Sequence, residues 1–261
     1  MKPEDLIDKI LEEFYSQYNV TFQAHTNKSL LLARYFNFRL KLIPKKPRKI
    51  QISKESIANI YLTELKNDIL KLFEKIEKGI DINPYQSKRS FNADYHDMLF
   101  NDWGIHHLHL SNEKKNINDY FHKRTGPLIF IKFQGNYAYI IDVKKHNDKN
   151  VWSNTELLRI IKNNWEFLIE PYKVGNHKWF PEMDDNEIGI MRNKGYTFPV
   201  NIDGNAYLLL GDGYSCSGDN MSANFLADEV YRWIGKNLDL FEENPKKFKR
   251  LLCQKMDWEI I

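Results

Sequence analysis

Apolar residues at the start of the chain recur at three- and four-residue intervals. Leu6, Ile7, Ile10, Leu11, Phe14 and Tyr18 fall on one face of a helix predicted over 4–18, with a break around Asn19. The stretch LLLARYFNFRLKLI at 30–43 is apolar and β-tolerant, and a proline-marked loop follows at 44–47. From 53 to 78 a second helical pattern turns Ile57, Ile60, Tyr61, Leu65, Leu72, Phe73 and Ile76 inward and stops at Gly79. Near residue 102 the period changes to two. GIHHLHL, PLIFIKF and NYAYIIDVKKH read as strands of one antiparallel sheet, the last two joined by a tight turn at 134–136. A helix is predicted over 154–169. After it come a hairpin turning at Asp203-Gly204, the loop GDGYSCSGDN and the helix SANFLADEVYRWIGKNL. The pattern is that of an α+β protein. It divides into a helix-rich region at 1–90, a central antiparallel sheet at 91–170 and a C-terminal α/β region at 171–261.

Composition narrows this picture. With 261 residues, 42% of them hydrophobic, the chain can bury a large core without staples, and two cysteines, Cys216 and Cys253, are too few for a disulfide framework. The opening MKPEDLIDKILEEF has no apolar run of the signal-peptide kind, and no segment has the length of apolar sequence a membrane span needs. A cytoplasmic setting, without a membrane partner, is the expectation. A net charge of +3 permits a nucleic-acid partner without demanding one. The charge is concentrated in KKPRK at 45–49, which reads as a solvated loop or a phosphate contact.

The chemistry gathers in the central region. Strand alternation puts Ile105, His107 and His109 on one face and His106, Leu108 and Leu110 on the other. On the third strand Asp142, Lys144 and His146 share a face, and the connection between strands supplies His122 and Arg124. Histidines flanked by cations suit metal-free cleavage of RNA, in which one imidazole takes the 2'-hydroxyl proton and another protonates the leaving oxygen. Lys144 and Arg124 would steady the charge on phosphorus. That chemistry implies no cofactor. Two metal-based readings stand beside it: an HxH pair at His107 and His109 with Glu113 and His146, and Mg²⁺ chemistry at Asp142 and Lys144. A non-enzymatic binding module with bonded, buried histidines is the structural alternative. Trp103, Trp152 and Trp165 read as core residues rather than base-stacking platforms.

Several resemblances bear on these readings. RTGPLIFIKFQGNYAYIIDVKKHND (124–148) resembles the central strands of RelE/ParE-like toxin ribonucleases. That likeness implies a toxin-like or defence-type endoribonuclease using Arg124, Lys144 and His146, acting on RNA and held by an antitoxin or defence-system partner. YIIDVK is similar to the acid-and-lysine strand of PD-(D/E)xK nucleases, although PLIF stands where that family has its first acid. HxH followed by Glu is similar to the first cupin motif. The wider arrangement of DWGIHHLHL, RTGPLIF and IDVKKH resembles uncharacterised bacterial proteins. The loop GDGYSCSGDN lies between a strand and a helix, where Gly213, Ser215, Ser217 and Gly218 could hold phosphate through backbone amides.

Overall fold

The computed structural model describes residues 2–18, 20, 27–208 and 210–256, so Asn19 lies outside the described residues. In chain order the elements are α1 (Pro3–Tyr18), α2 (Lys28–Lys41), β1 (Lys49–Ile52), α3 (Lys54–Leu62), α4 (Lys66–Lys78), α5 (Met98–Trp103) and β2 (His106–His109). Then follow β3 (Pro127–Gln134), β4 (Tyr137–Lys145), α6 (Glu156–Trp165), α7 (Asp185–Asn193), β5 (Val200–Ile202) and β6 (Asn205–Tyr207). The chain closes with α8 (Met221–Lys236), α9 (Leu238–Glu243) and α10 (Pro245–Lys255). The class is α+β, as the alternation of periods implies. Among the described residues no helix is long and apolar enough to cross a membrane.

Compaction does not follow the three consecutive regions expected from the sequence. The chain forms two compact units, one built from 1–44, 88–96 and 218–261, the other from 45–87 and 97–217. The first is helical. The Phe14 and Tyr35 rings pack edge to face with centroids 4.9 Å apart, and Phe38 continues the cluster to Phe91 at 5.6 Å. Trp233 on α8 packs against Phe248 on α10 at 5.1 Å, and the Tyr35 hydroxyl donates to the Met256 carbonyl at 2.9 Å. The β-tolerant stretch 30–43 is thus helical. Asn27 caps its first turn through the amides of Ser29 and Leu30, and the aromatic rows of α2 find partners at helical spacing.

The second unit holds a four-stranded sheet in the order β1-β4-β3-β2. The sheet is mixed, not purely antiparallel, because β1 runs parallel to β4 with Lys49 opposite Tyr137. The single helix expected over 53–78 is two helices, α3 and α4, and the strand β1 precedes them. Ser53 ends β1, caps α3 through the Ser56 amide, and donates its hydroxyl to the Ile141 carbonyl at 2.7 Å, so α3 continues along β4 where β1 stops. Asp102 and Trp103, read at the head of a strand, instead close α5, and Gly104 stops that helix at φ 66°. The positive φ is what calls for glycine there, since a side chain in that conformation is strained. One sheet face buries Leu128, Phe130, Tyr139 and Ile141 beneath Leu157, Leu158, Ile161 and Trp165 of α6. The β5–β6 hairpin forms as expected around Asp203-Gly204.

Candidate functional site

The β2–β3–β4 register sets the positions of the sequence-predicted residues. His107 lies opposite Phe130 and Phe130 opposite Asp142, while His109 lies opposite Leu128 and Leu128 opposite Lys144. The histidines and the Asp-Lys pair therefore share cross-strand rows with β3 between them, about 10 Å apart at the usual strand spacing. The side chains then separate. Asp142 pairs with Lys144 at 2.8 Å and accepts from Asn59 of α3 at 2.8 Å. A register shift at Phe130/Ile131 makes Ile141 an extra residue, which turns into the core.

Two histidines, His107 and His146, pack on Trp152. Its ring lies 4.7 Å from that of His107 and 5.3 Å from that of His146. The His107 side chain is 9% exposed, and its Nδ1 lies 3.7 Å from the Asp97 carboxylate. Burial lowers its pKa, the charge of His146 adds to that, and Asp97 works against it. His109 is buried, with Nδ1 3.3 Å from both the amide and the carbonyl of Thr125. Burial, with the nearby His107, pushes it down to about 4. His106 packs between Phe100 at 4.7 Å and Phe133 at 5.3 Å, and burial takes it down to about 3. These three imidazoles are neutral at pH 7. His146 is exposed at the end of β4.

Next to His146 lies a cleft of about 420 Å³, lined by Asp97, His146, Trp152, Ser153, Asn186 and Arg192 among others. Three local features build it. Asp97 caps α5 by accepting from the Phe100 amide at 3.1 Å, which fixes its carboxylate at the cleft wall. Helix α7 starts with a capping box of Asp184 and Glu187, and Gly189 lets it approach the 150–153 loop so closely that a Cβ would meet the Ser153 hydroxyl at 3.0 Å. Arg192 bonds Asp102 at 2.7 Å through Nε, donates to the Trp152 carbonyl, and lies over the Trp103 ring at 4.0 Å. Its guanidinium holds the wall together. Trp103 and Trp165 are core residues, but Trp152 is 37% exposed and belongs to the cleft.

The remaining expected residues lie elsewhere. Arg124 is exposed and donates to Ser87 at 3.2 Å. His122 stacks on Tyr85 at 4.2 Å and donates Nδ1–H to the Ser111 carbonyl at 2.8 Å. Glu113 pairs with Lys123 at 2.7 Å, and among the described residues no group of three or more His, Cys, Asp or Glu is placed to hold a metal ion. In the glycine loop, the Gly211 and Gly213 amides donate to the Asp102 and Asn101 carbonyls at 2.9 Å, and the hydroxyls of Ser215 and Ser217 bond each other. A Cβ on Gly211 would meet the Gly104 nitrogen at 2.3 Å, so this part of the loop is a close-packed stop against α5. Gly218, at φ 85°, packs on His96. Cys216 is exposed.

Asp97, Ser153, Asn186 and Arg192 escape a reading by strand alternation because they come from a helix cap, a loop and a later helix. One signal was present, an aspartate just ahead of MLFNDW in the N-cap position of a short helix that leads into the histidine strand. Comparison with protein-family models, with curated proteins and with solved structures gives no match.

Proposed function

We propose that the chain is a metal-independent endoribonuclease whose acid-base chemistry runs in the cleft beside Trp152. The observation that carries this reading is that Asp97 and His146 line one cavity while Asp97 is backed by the His107 imidazole. In the proposed reaction the Asp97–His107 pair removes the proton of the 2'-hydroxyl, and that oxygen attacks the adjacent phosphorus. His146 gives its proton to the departing 5'-oxygen, leaving a cyclic phosphate on one product and a free hydroxyl on the other. Asn186 offers a neutral hydrogen-bonding group on the same walls. The likeness of 124–148 to toxin ribonucleases supports a toxin-like or defence-type role, a cytoplasmic setting and an antitoxin or defence-system partner as parts of the same proposal.

The test is cleavage of single-stranded RNA in EDTA. Asp97→Asn, which keeps the helix cap, and His146→Ala should each lower the rate by about 10²-fold or more while the protein stays folded. Activity that needs Mg²⁺ and falls chiefly on Asp142→Ala would move the chemistry to the Asp142–Lys144 pair. Inert wild-type protein under both conditions would leave a binding module.

A further inference from the structure

The basic run at 45–49 takes no part in the cleft, and its structure is not that of a loose solvated loop. The Arg48 amide donates to the Ile76 carbonyl at 3.1 Å and the Lys49 amide to the Asn136 carbonyl at 2.8 Å, tying the run to the end of α4 and to the β3–β4 turn. Gly79, at φ 69°, lies so near that a Cβ would meet the Pro47 nitrogen at 2.6 Å. Arg48 is buried with its guanidinium 4.9 Å over the Phe133 ring. Here a cavity of about 500 Å³ is lined by Lys46, Pro47, Arg48, Lys49, Glu77 and Asn136, three cations against one carboxylate.

An aromatic row begins at its edge. Tyr137, next to Asn136 in the chain and opposite Lys49 in the sheet, lies 5.9 Å from Tyr139, which lies 6.1 Å from Phe167. Tyr139 is buried and fixed edge-on by Trp165 at 5.1 Å, whereas Tyr137 is 37% and Phe167 61% exposed. Gln51 is exposed and sits opposite Tyr139. Cations on a held backbone, followed by ring faces with amide groups between them, are what a nucleotide chain needs: phosphates meet the first, bases stack on the second. A lipid surface would call for a broad aliphatic face.

We infer that the 46–49 cavity and the Tyr137–Phe167 row bind a segment of single-stranded RNA, with phosphate at Lys46 and Lys49 and bases on Tyr137 and Phe167. This rests on the reading of the chain as a ribonuclease and places a substrate-holding track at the opposite end of β4 from His146. The length of β4, about 30 Å at the usual rise per residue, sets the scale of the separation.

The test is fluorescence anisotropy of a short labelled single-stranded RNA over a salt titration, with the His146→Ala full chain as the uncleaving parent. Lys46→Glu/Lys49→Glu should weaken binding about tenfold or more and cut the salt slope by about 1.4, the share of two phosphates on a single strand. Tyr137→Ala/Phe167→Ala should weaken it at least about fivefold. Lys71→Glu/Lys114→Glu, a reversal elsewhere on the surface, should change it less than about twofold. Binding unchanged by the first two variants, or lost equally in the third, overturns the track. So does loss of adhesion to anionic phospholipid vesicles with RNA binding intact, which assigns the surface to a membrane. RNA held here but never cleaved by the wild type leaves the track and removes the nuclease reading. Cleavage that needs Asp97 and His146 but is indifferent to these variants does the reverse.

Discussion

Each compact unit holds an imidazole facing a carboxylate at nearly the same distance, His107 and Asp97 at 3.7 Å in one, His96 and Asp219 at 3.6 Å in the other. In both pairs burial pushes the histidine pKa down while the carboxylate pulls it up. Their surroundings differ. Asp97 lines a cavity, with His146 on the same walls. Asp219 is completely buried, and His96 stands among Arg34, Lys41 and Asp94, charged groups that join α2 to the 92–96 segment. Arg34 and Asp94 themselves pair at 2.7 Å, and Lys41 donates to the Tyr95 carbonyl at 2.6 Å. The same dyad geometry serves as a polar stitch in one unit and as a candidate proton relay in the other. What separates them is whether the carboxylate reaches a space that a substrate can enter.

The largest expected effect tests the wall of that space. Arg192 and Asp102 are both 4% exposed at the side chain, and burial pushes the Asp102 pKa up while Arg192 holds it down. Arg192→Met leaves a buried carboxylate without its cation and should destabilise the chain by about 3–5 kcal/mol, measured by urea denaturation. Arg192→Met/Asp102→Leu should recover much of the loss, because removing both charges removes the desolvation cost. A single variant as stable as the wild type would show that the wall is not held by this pair.

The next effect addresses the comparison directly. His107→Gln should lower RNA cleavage about 10²-fold, whereas His96→Gln should keep it within about twofold. Equal losses in the two variants would erase the distinction between stitch and relay.

Acid sensitivity follows from the lowered histidine pKa values. His106 and His109 take up protons near pH 6.5 when unfolded, but only near 3 and 4 in the folded chain. Unfolding therefore binds protons across that window. The stability these groups confer is complete above about pH 6.5 and is lost as pH falls toward 4. With nearly two protons taken up, the slope near pH 5 should be roughly 2–3 kcal/mol per pH unit. His109→Asn and His106→Phe should each reduce it by about one proton in denaturation series run at several pH values. An unchanged slope in both would mean that the imidazoles are more solvated than their packing implies.

How much of this could be read in the sequence depends on the range of the interactions. The β3–β4 hairpin and the turn at Asp203-Gly204 were legible because turn chemistry and period-two alternation are local. The helix over Lys28–Lys41 was ambiguous. Its aromatic residues fit either element, and the choice is made by Phe14, Phe91 and the C-terminal helices, far away in the chain. The switch from β1 to α3 is marked by Ser53 bonding Ile141, another long-range contact. In the site, alternation puts His107 and His109 in the rows of Asp142 and Lys144, yet it cannot show that Asn59 bonds Asp142 or that Trp152 packs on both His107 and His146. Packing, rather than strand phase, decides which polar groups meet.

The smallest expected effect concerns Asp142 and Lys144, a charged pair with its own hydrogen-bond donor in Asn59. It is partly screened, since the Lys144 side chain is 17% exposed, so its contribution should be near the upper end for surface pairs. Lys144→Gln should cost about 1 kcal/mol or less in denaturant melts. Asp142→Asn should cost slightly more, because the carboxylate also accepts the Val143 amide at 2.8 Å. Neither substitution should alter RNA cleavage in EDTA by more than about twofold, if the cleft beside Trp152 performs the proton transfers, since uncoupled sites act independently. A hundredfold loss on Asp142→Asn with little change in stability would instead make this pair the chemical centre. The 3.7 Å contact of His107 with Asp97 would then be a second stitch, equivalent to the one at His96.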